Sequence, residues 1–216
     1  QLHPNTIVLT SMDADHLDVY GEEQNLINNF KLFTNLIIDN EKLIIQEDIA
    51  KYFKEKRTYG FNSNCDLQIK DIRIKNGAYH FSIKYNEDVY TSFKFPFPGR
   101  HNLMNAGGAI LACLINNISI QEIKDALLSF KGIKRRFEVH IENGKCTFID
   151  DYAHHPKEIE ALIHAAREFY PLKKIIGIFQ PHLFSRTRDF MDEFAFSLSK
   201  LDKLVLLPIY PAREEP

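Results

Sequence analysis

The 216 residues are 44% apolar and 26% charged, enough to pack one large domain or two small ones and too apolar for a disordered chain. A formal charge of −2 excludes the basic surface that general nucleic-acid binding needs, and no apolar run reaches the length of a membrane span. Three widely spaced cysteines, Cys65, Cys113 and Cys146, give neither a disulfide framework nor a metal-ligand spacing and read as reduced thiols of a cytoplasmic protein.

The run Thr6 to Thr10 predicts a buried strand, and residues 22–38 a helix with Leu26, Phe30, Phe33 and Ile37 on one face. From Cys65 to Phe97 apolar and polar residues alternate around Asn76-Gly77 and Asn86-Glu87-Asp88, which predicts a three-stranded antiparallel meander. Helices follow from about Asn102 to Leu114 and from the capping box Ser119-Ile120-Gln121-Glu122 onward. Beyond Lys134 the pattern becomes a hairpin across Asn143-Gly144, a helix from Pro156 to Tyr170, a buried strand from Lys174 to Phe179, a helix from Ser185 to Leu201 and a strand from Leu204 to Ile209. This is an α/β alternation with a parallel sheet in its second part, and the domain boundary is expected near Lys134, giving domains 1–134 and 135–216. The chain opens at Gln1 rather than Met and stops at Pro216 just after an apolar run, so both ends are expected to be internal to a longer protein.

Five constellations can carry chemistry. Asp13, Asp15, His16 and Asp18 follow the first strand, where they either hold Mg²⁺ and phosphate or form a solvated acidic turn. Asn102 and Asn105 share a helix face and can donate to and accept from a purine edge, although Asn102 also suits an N-cap. Lys134-Arg135-Arg136 can clamp phosphate or be a basic linker. Asp150-Asp151-Tyr152-Ala153-His154-His155-Pro156 closes a strand and opens a helix, which brings side chains and free helix N–H groups together. Gln180 to Asp189 also joins a strand to a helix. Cations at a helix start oppose its dipole, so Arg186 and Arg188 point to an anionic ligand unless they pair with Asp189 or Asp192.

Taken in order, Asp15-His16-Leu17-Asp18, Pro98 to Ala106, Lys134 to Phe137 and Asp150 to Pro156 resemble the Mur ligase family over nearly the whole chain. Asp151-Tyr152-Ala153-His154-His155-Pro156 narrows the resemblance to the alanine-adding enzymes and the murein peptide ligases. Gln180-Pro181-His182, Ser185 to Arg188 and Tyr210 to Glu214 are similar to the alanine-adding branch. The resemblance implies the later part of a central ATPase domain with a small antiparallel sheet, then part of a Rossmann-like C-terminal domain. It implies ATP and Mg²⁺ as cofactors and UDP-N-acetylmuramate and L-alanine as partners. The muramate carboxylate would be activated as an acyl phosphate and captured by the alanine amine.

The same resemblance implies the residue roles. His16 would be the metal ligand, Asn102 and Asn105 would face adenine, Arg136 or Arg135 would reach ATP phosphate, and Asp151 the ribose. His155 or His154, with His182, Arg186 and Arg188, would hold substrate anions. Leu183 stands where the family often has a basic residue, and Lys31, between Phe30 and Phe33, reads as a surface lysine. No G-x-x-G-K-[ST] phosphate loop occurs in the sequence, so the chain alone is expected to be inactive. A murein peptide ligase and a non-catalytic nucleotide-binding module are the competing readings, and the oligomeric state is left open.

Overall fold

The computed structural model describes residues 3–12, 22–54 and 56–214. Two compact units divide the chain: Gln1–Pro96 with Asn102–Phe130, and Phe97–His101 with Lys131–Pro216.

The first unit is built on one six-stranded sheet in the order β1-β2-β3-β4-β5-β6. β1 (Ile7–Leu9), β2 (Leu43–Gln46) and β3 (Arg57–Gly60) are parallel neighbours, and β3 runs parallel to β4 (Leu67–Lys75). β4, β5 (Ala78–Tyr85) and β6 (Asp88–Phe95) form the antiparallel meander. The expected meander is therefore not a separate small sheet; it extends the parallel strands. β2 reads Leu-Ile-Ile-Gln and is buried throughout, as a central parallel strand must be. Its four residues offer no alternation, which is why the sequence pattern does not reveal it. The turn at Asn76-Gly77 works because both residues adopt positive φ (53° and 67°), matching the twist of the flanking strands.

Helix α1 (Glu23–Thr34) is shorter than the expected 22–38, and Ile37 is buried just beyond its end. Ile27 and Ile37 pack with Ile7, Leu9, Leu43 and Ile45. α2 (Arg100–Ile115) and α3 (Ile120–Ser129) follow the meander, and Ser119 and Glu122 make the expected capping box. α2 carries Gly107 and Gly108 against the fully buried ring of Tyr59, where a Cβ on Gly108 would stand 2.8 Å from Tyr59 Cζ.

In the second unit β7 (Glu138–Glu142) and β8 (Thr147–Asp150) form a hairpin, closed by Asn143 Oδ1 accepting the amides of Lys145 and Cys146. α4 (Pro156–Phe169) buries Ile159, Ile163, Ala165 and Ala166. β9 (Ile176–Phe179) and β10 (Lys203–Leu206) pair in parallel. The stretch between them was expected as one helix. It forms two, α5 (Phe184–Asp189) and α6 (Met191–Leu198), with Phe190 leaving helical geometry between them. β9 is also not the buried strand expected: Ile178 is 66% exposed, because among the described residues no layer covers that face. No described helix is long and apolar enough to cross a membrane.

Candidate functional site

In the second unit the C-terminal ends of β8 and β9 open into loops, the position at which open α/β sheets gather ligand groups. Both strands line a cleft of ≈1070 Å³ whose apolar wall includes Ile159, Leu162 and Ile163 of α4. Its polar lining includes Arg135, Asp151, Tyr152, His154, His182 and Arg186.

The 151–155 loop is fixed to the segment before β7. Asp151 accepts the amide of Phe137 on Oδ2 at 2.7 Å and that of Ala153 on Oδ1 at 2.8 Å. The Tyr152 amide donates to the Arg135 carbonyl at 2.8 Å. These bonds hold Arg135 and Phe137 at φ of 57° and 46°, a left-handed conformation that non-glycine residues adopt only where the surroundings enforce it. The Arg135 guanidinium lies 4.4 Å from the Tyr152 ring centroid, and among the described residues no carboxylate lies within ion-pair distance of it.

Glu158, in the first turn of α4, is a residue the sequence reading missed. Its Oε2 accepts the amides of His154 (2.9 Å) and His155 (3.3 Å) and lies 3.4 Å from His154 Nδ1. Its Oε1 stands 3.6 Å from Arg136 Nη1. Partial burial pushes the Glu158 pKa up, but the two amides, His154 and Arg136 more than offset this, and the net shift is downward. The available signal was the acid three residues after His155, the spacing of a capping box. His101 shares this environment. Desolvation lowers its pKa, Asp151 and Glu158 pull it up, and Arg136 pushes it down, with a net lowering.

The two adjacent histidines diverge. His154 lines the cleft. His155 caps α4, its Nδ1 accepting the Lys157 amide at 3.4 Å, and packs edge-on against Phe190 with ring centroids 4.9 Å apart.

Past β9, the 180–186 segment is tied to the chain beyond β10. The His182 and Tyr210 rings stack at 5.7 Å, the Tyr210 amide donates to the Pro181 carbonyl, and the Leu183 amide donates to the Tyr210 carbonyl. Ser185 donates its amide and hydroxyl to Glu214, which holds that carboxyl below its usual pKa. Arg186 is half-buried at the cleft, and among the described residues no carboxylate lies within ion-pair distance of it. Arg188 instead points to solvent and pairs with Asp189 at 2.8 Å. The break at Phe190 also reverses the dipole argument: both arginines fall in the last turn of α5, where cations are favourable.

In the first unit Asn102 and Asn105 lie one turn apart at the start of α2, half-buried and exposed respectively. The helix begins at Arg100, so Asn102 is inside its first turn rather than at its cap. His16 and its acidic neighbours lie outside the described residues.

Residues 1–113 match the Mur ligase middle domain, and residues 135–216 match the glutamate ligase domain of Mur ligases. The chain belongs to the Mur ligase family. Among relatives, the UDP-N-acetylmuramate–L-alanine ligase of Christiangramia forsetii is 46% identical over 216 residues, covering 100% of this chain and 47% of that protein. The enzyme of the same name from Francisella tularensis is 38% identical over 229 residues, covering 99% of this chain and 50% of that protein. The chain thus spans about half the length of the curated Mur ligases it matches. The crystal structure of UDP-N-acetylmuramate-alanine ligase from Thermotoga maritima superposes with a TM-score of 0.81 at 26% identity, covering 96% of this chain and 46% of that one. A MurF ligase from the same organism in complex with ADP gives 0.74 at 18% identity over 94% of this chain and 48% of that one, which speaks to the Mur ligase fold alone.

Proposed function

We propose that this chain is part of a cytoplasmic, ATP-dependent ligase that adds L-alanine to UDP-N-acetylmuramate during peptidoglycan precursor synthesis. The observation that carries the proposal is the unbroken 46% identity, across the whole chain, to a relative bearing that name.

The chemistry of the second unit suits an anionic substrate. Arg186 brings a guanidinium to the cleft that His154 and His182 also line, and such a fork binds carboxylate or phosphate oxygens in pairs. In this reading Arg186, His182 and His154 hold substrate anions and fix the reacting carboxylate, which removes much of the entropic barrier to amine attack. His155 acts through the start of α4, and Arg188 screens charge from the protein surface. Arg136 is assigned to nucleotide phosphate, and Glu158 keeps it extended until that phosphate arrives. Asp151 retains a second lone pair on each oxygen for a ribose hydroxyl after serving two amides. Asn102 and Asn105 are assigned to adenine, their amides carrying both donor and acceptor. Mg²⁺, when bound, supplies charge neutralisation on the transferring oxygens. Its assigned ligand is His16.

The test is an assay of the full-length protein for phosphate release that requires ATP, UDP-N-acetylmuramate and L-alanine together, with the product identified by mass. Turnover with a tripeptide but not with alanine would assign the protein to the peptide ligases instead. Nucleotide binding without turnover would leave only a binding module.

A further inference from the structure

We propose that the β7–β8 hairpin carries a divalent transition-metal site formed by Glu138, His140 and Asp150. His140 Nε2 lies 3.9 Å from Glu138 Oε2 and 4.0 Å from Asp150 Oδ2, and donor atoms of all three fall within 4.8 Å of one another.

The hairpin register explains how they meet. Glu138 is paired directly with Asp150 across the strands, then Val139 with Ile149 and Ile141 with Phe148, so His140 is the extra residue of a bulge. Bulges re-aim a side chain. The His140 ring swings over the face that carries Asp150 and Phe148, with its centroid 5.9 Å from that of Phe148. Ile149, on the opposite face of β8, packs toward Ala165 and Ala166. The three donors therefore stand together on the face turned away from the core.

Two carboxylates directly opposite on neighbouring strands repel, and the arrangement calls for a cation. Among the described residues no lysine or arginine side chain lies within 4.0 Å of either one, and His140 is the group that does. Glu138 is also held in place, its Oε2 accepting the Arg135 amide at 2.7 Å. That bond orients the carboxylate as an outer-shell contact orients a metal ligand. One imidazole nitrogen with two carboxylate oxygens favours zinc or a similar ion over magnesium or calcium, which prefer oxygen alone. Bonds of about 2.1 Å place tetrahedral ligands about 3.4 Å apart, so His140 has to close by roughly half an ångström on each carboxylate, and the two carboxylates, within 4.8 Å of one another, by at most roughly 1.4 Å. The exposed His140 and the half-buried Glu138 and Asp150 reach this by side-chain rotation, and water fills the remaining positions. The site depends on neither the ligase reading nor any nucleotide.

The test uses the ¹⁵N-labelled full-length protein, with Co²⁺ as a paramagnetic probe and Zn²⁺ as competitor, followed by nuclear magnetic resonance. The expected result is a saturable perturbation centred on the amides of Glu138, His140 and Asp150 and on the His140 ring, reversed by Zn²⁺. His140→Ala weakens it by about tenfold or more, while amide shifts away from the hairpin stay in place. Asp150→Asn, which keeps the side-chain shape, weakens it as well and covers the case in which His140→Ala disturbs the bulge. A perturbation centred instead on the cysteines or on His154, His155 and His182 overturns the proposal. So does an affinity unchanged in both variants, or the absence of saturable binding.

Discussion

Arg136 Nη1 stands 3.6 Å from one oxygen of Glu158 while the other oxygen takes the amides of His154 and His155. A single carboxylate thus ties the segment before β7, the histidine loop and the first turn of α4 into one unit. Its folded pKa lies below the ordinary value of 4.5, so it stabilises the fold at neutral pH, and that contribution is lost as pH falls below 4.5 through the folded pKa. We expect Glu158→Gln to flatten the loss of stability between pH 6 and 3, read from urea midpoints. Gln keeps an acceptor for the amides, whereas Glu158→Ala removes it and should cost about 1 kcal/mol more at pH 7. Parallel pH profiles for wild type and the Gln variant would show that Arg136 gains nothing from the pair.

The packing of Tyr59 gives a second expectation. Its ring is fully buried against Gly107 and Gly108, and among the described residues its hydroxyl has no hydrogen-bond partner, with burial raising its pKa. An unsatisfied buried hydroxyl costs about 1–3 kcal/mol, so Tyr59→Phe should be neutral or stabilising. Gly108→Ala should destabilise by about 1–3 kcal/mol, because the added methyl meets the ring rather than the end of a flexible chain. Denaturant unfolding of the two variants checks both signs. A destabilised Tyr59→Phe would mean that the hydroxyl has a partner.

Much of this architecture was legible because it rests on local chemistry. The meander, its Asn76-Gly77 turn, the Ser119 cap and the start of α4 at Pro156 are each set by residues within a few positions. β2 and β3 were not legible, since four-residue strands buried by distant partners carry no period. The split at Phe190 was hidden for a similar reason: Phe190 fits a helical stripe, but its ring packs against His155. In the cleft the sequence pattern pointed to His154, His182 and Arg186, which line it, and also to Arg188, which turns to Asp189. Glu158 went unread because its partners Arg136 and His154 lie on either side of the β7–β8 hairpin in sequence, so only the fold reveals their meeting.

The sequence contains no G-x-x-G-K-[ST] loop, the motif whose run of backbone N–H groups cradles β- and γ-phosphates. The 216-residue chain by itself should therefore show no alanine-dependent ATP turnover. Phosphate release from the purified chain with ATP, UDP-N-acetylmuramate and alanine is the measurement. A rate comparable to that of the full-length protein would overturn the assignment of ATP chemistry to a phosphate loop.

The two arginines of α5 separate substrate binding from surface pairing. Both sit in the last turn of the same short helix, so both gain alike from its dipole, and the difference between them lies in their surroundings. Arg186 lines the same cleft as His154 and His182, whereas Arg188 is spent on Asp189 in solvent. If the cleft holds the anionic substrate, Arg186→Ala in the full-length protein should cost about 1.5–3 kcal/mol of transition-state stabilisation, roughly a 10- to 150-fold loss in kcat/KM, with the melting temperature unchanged. Arg188→Ala should leave kinetics nearly as they are, because an exposed ion pair is screened by water and salt. Steady-state kinetics for the nucleotide sugar and for alanine, beside thermal melts, distinguish the cases. Arg186→Ala with unchanged kinetics and a lowered melting temperature would make Arg186 a structural cation and move the substrate anion elsewhere.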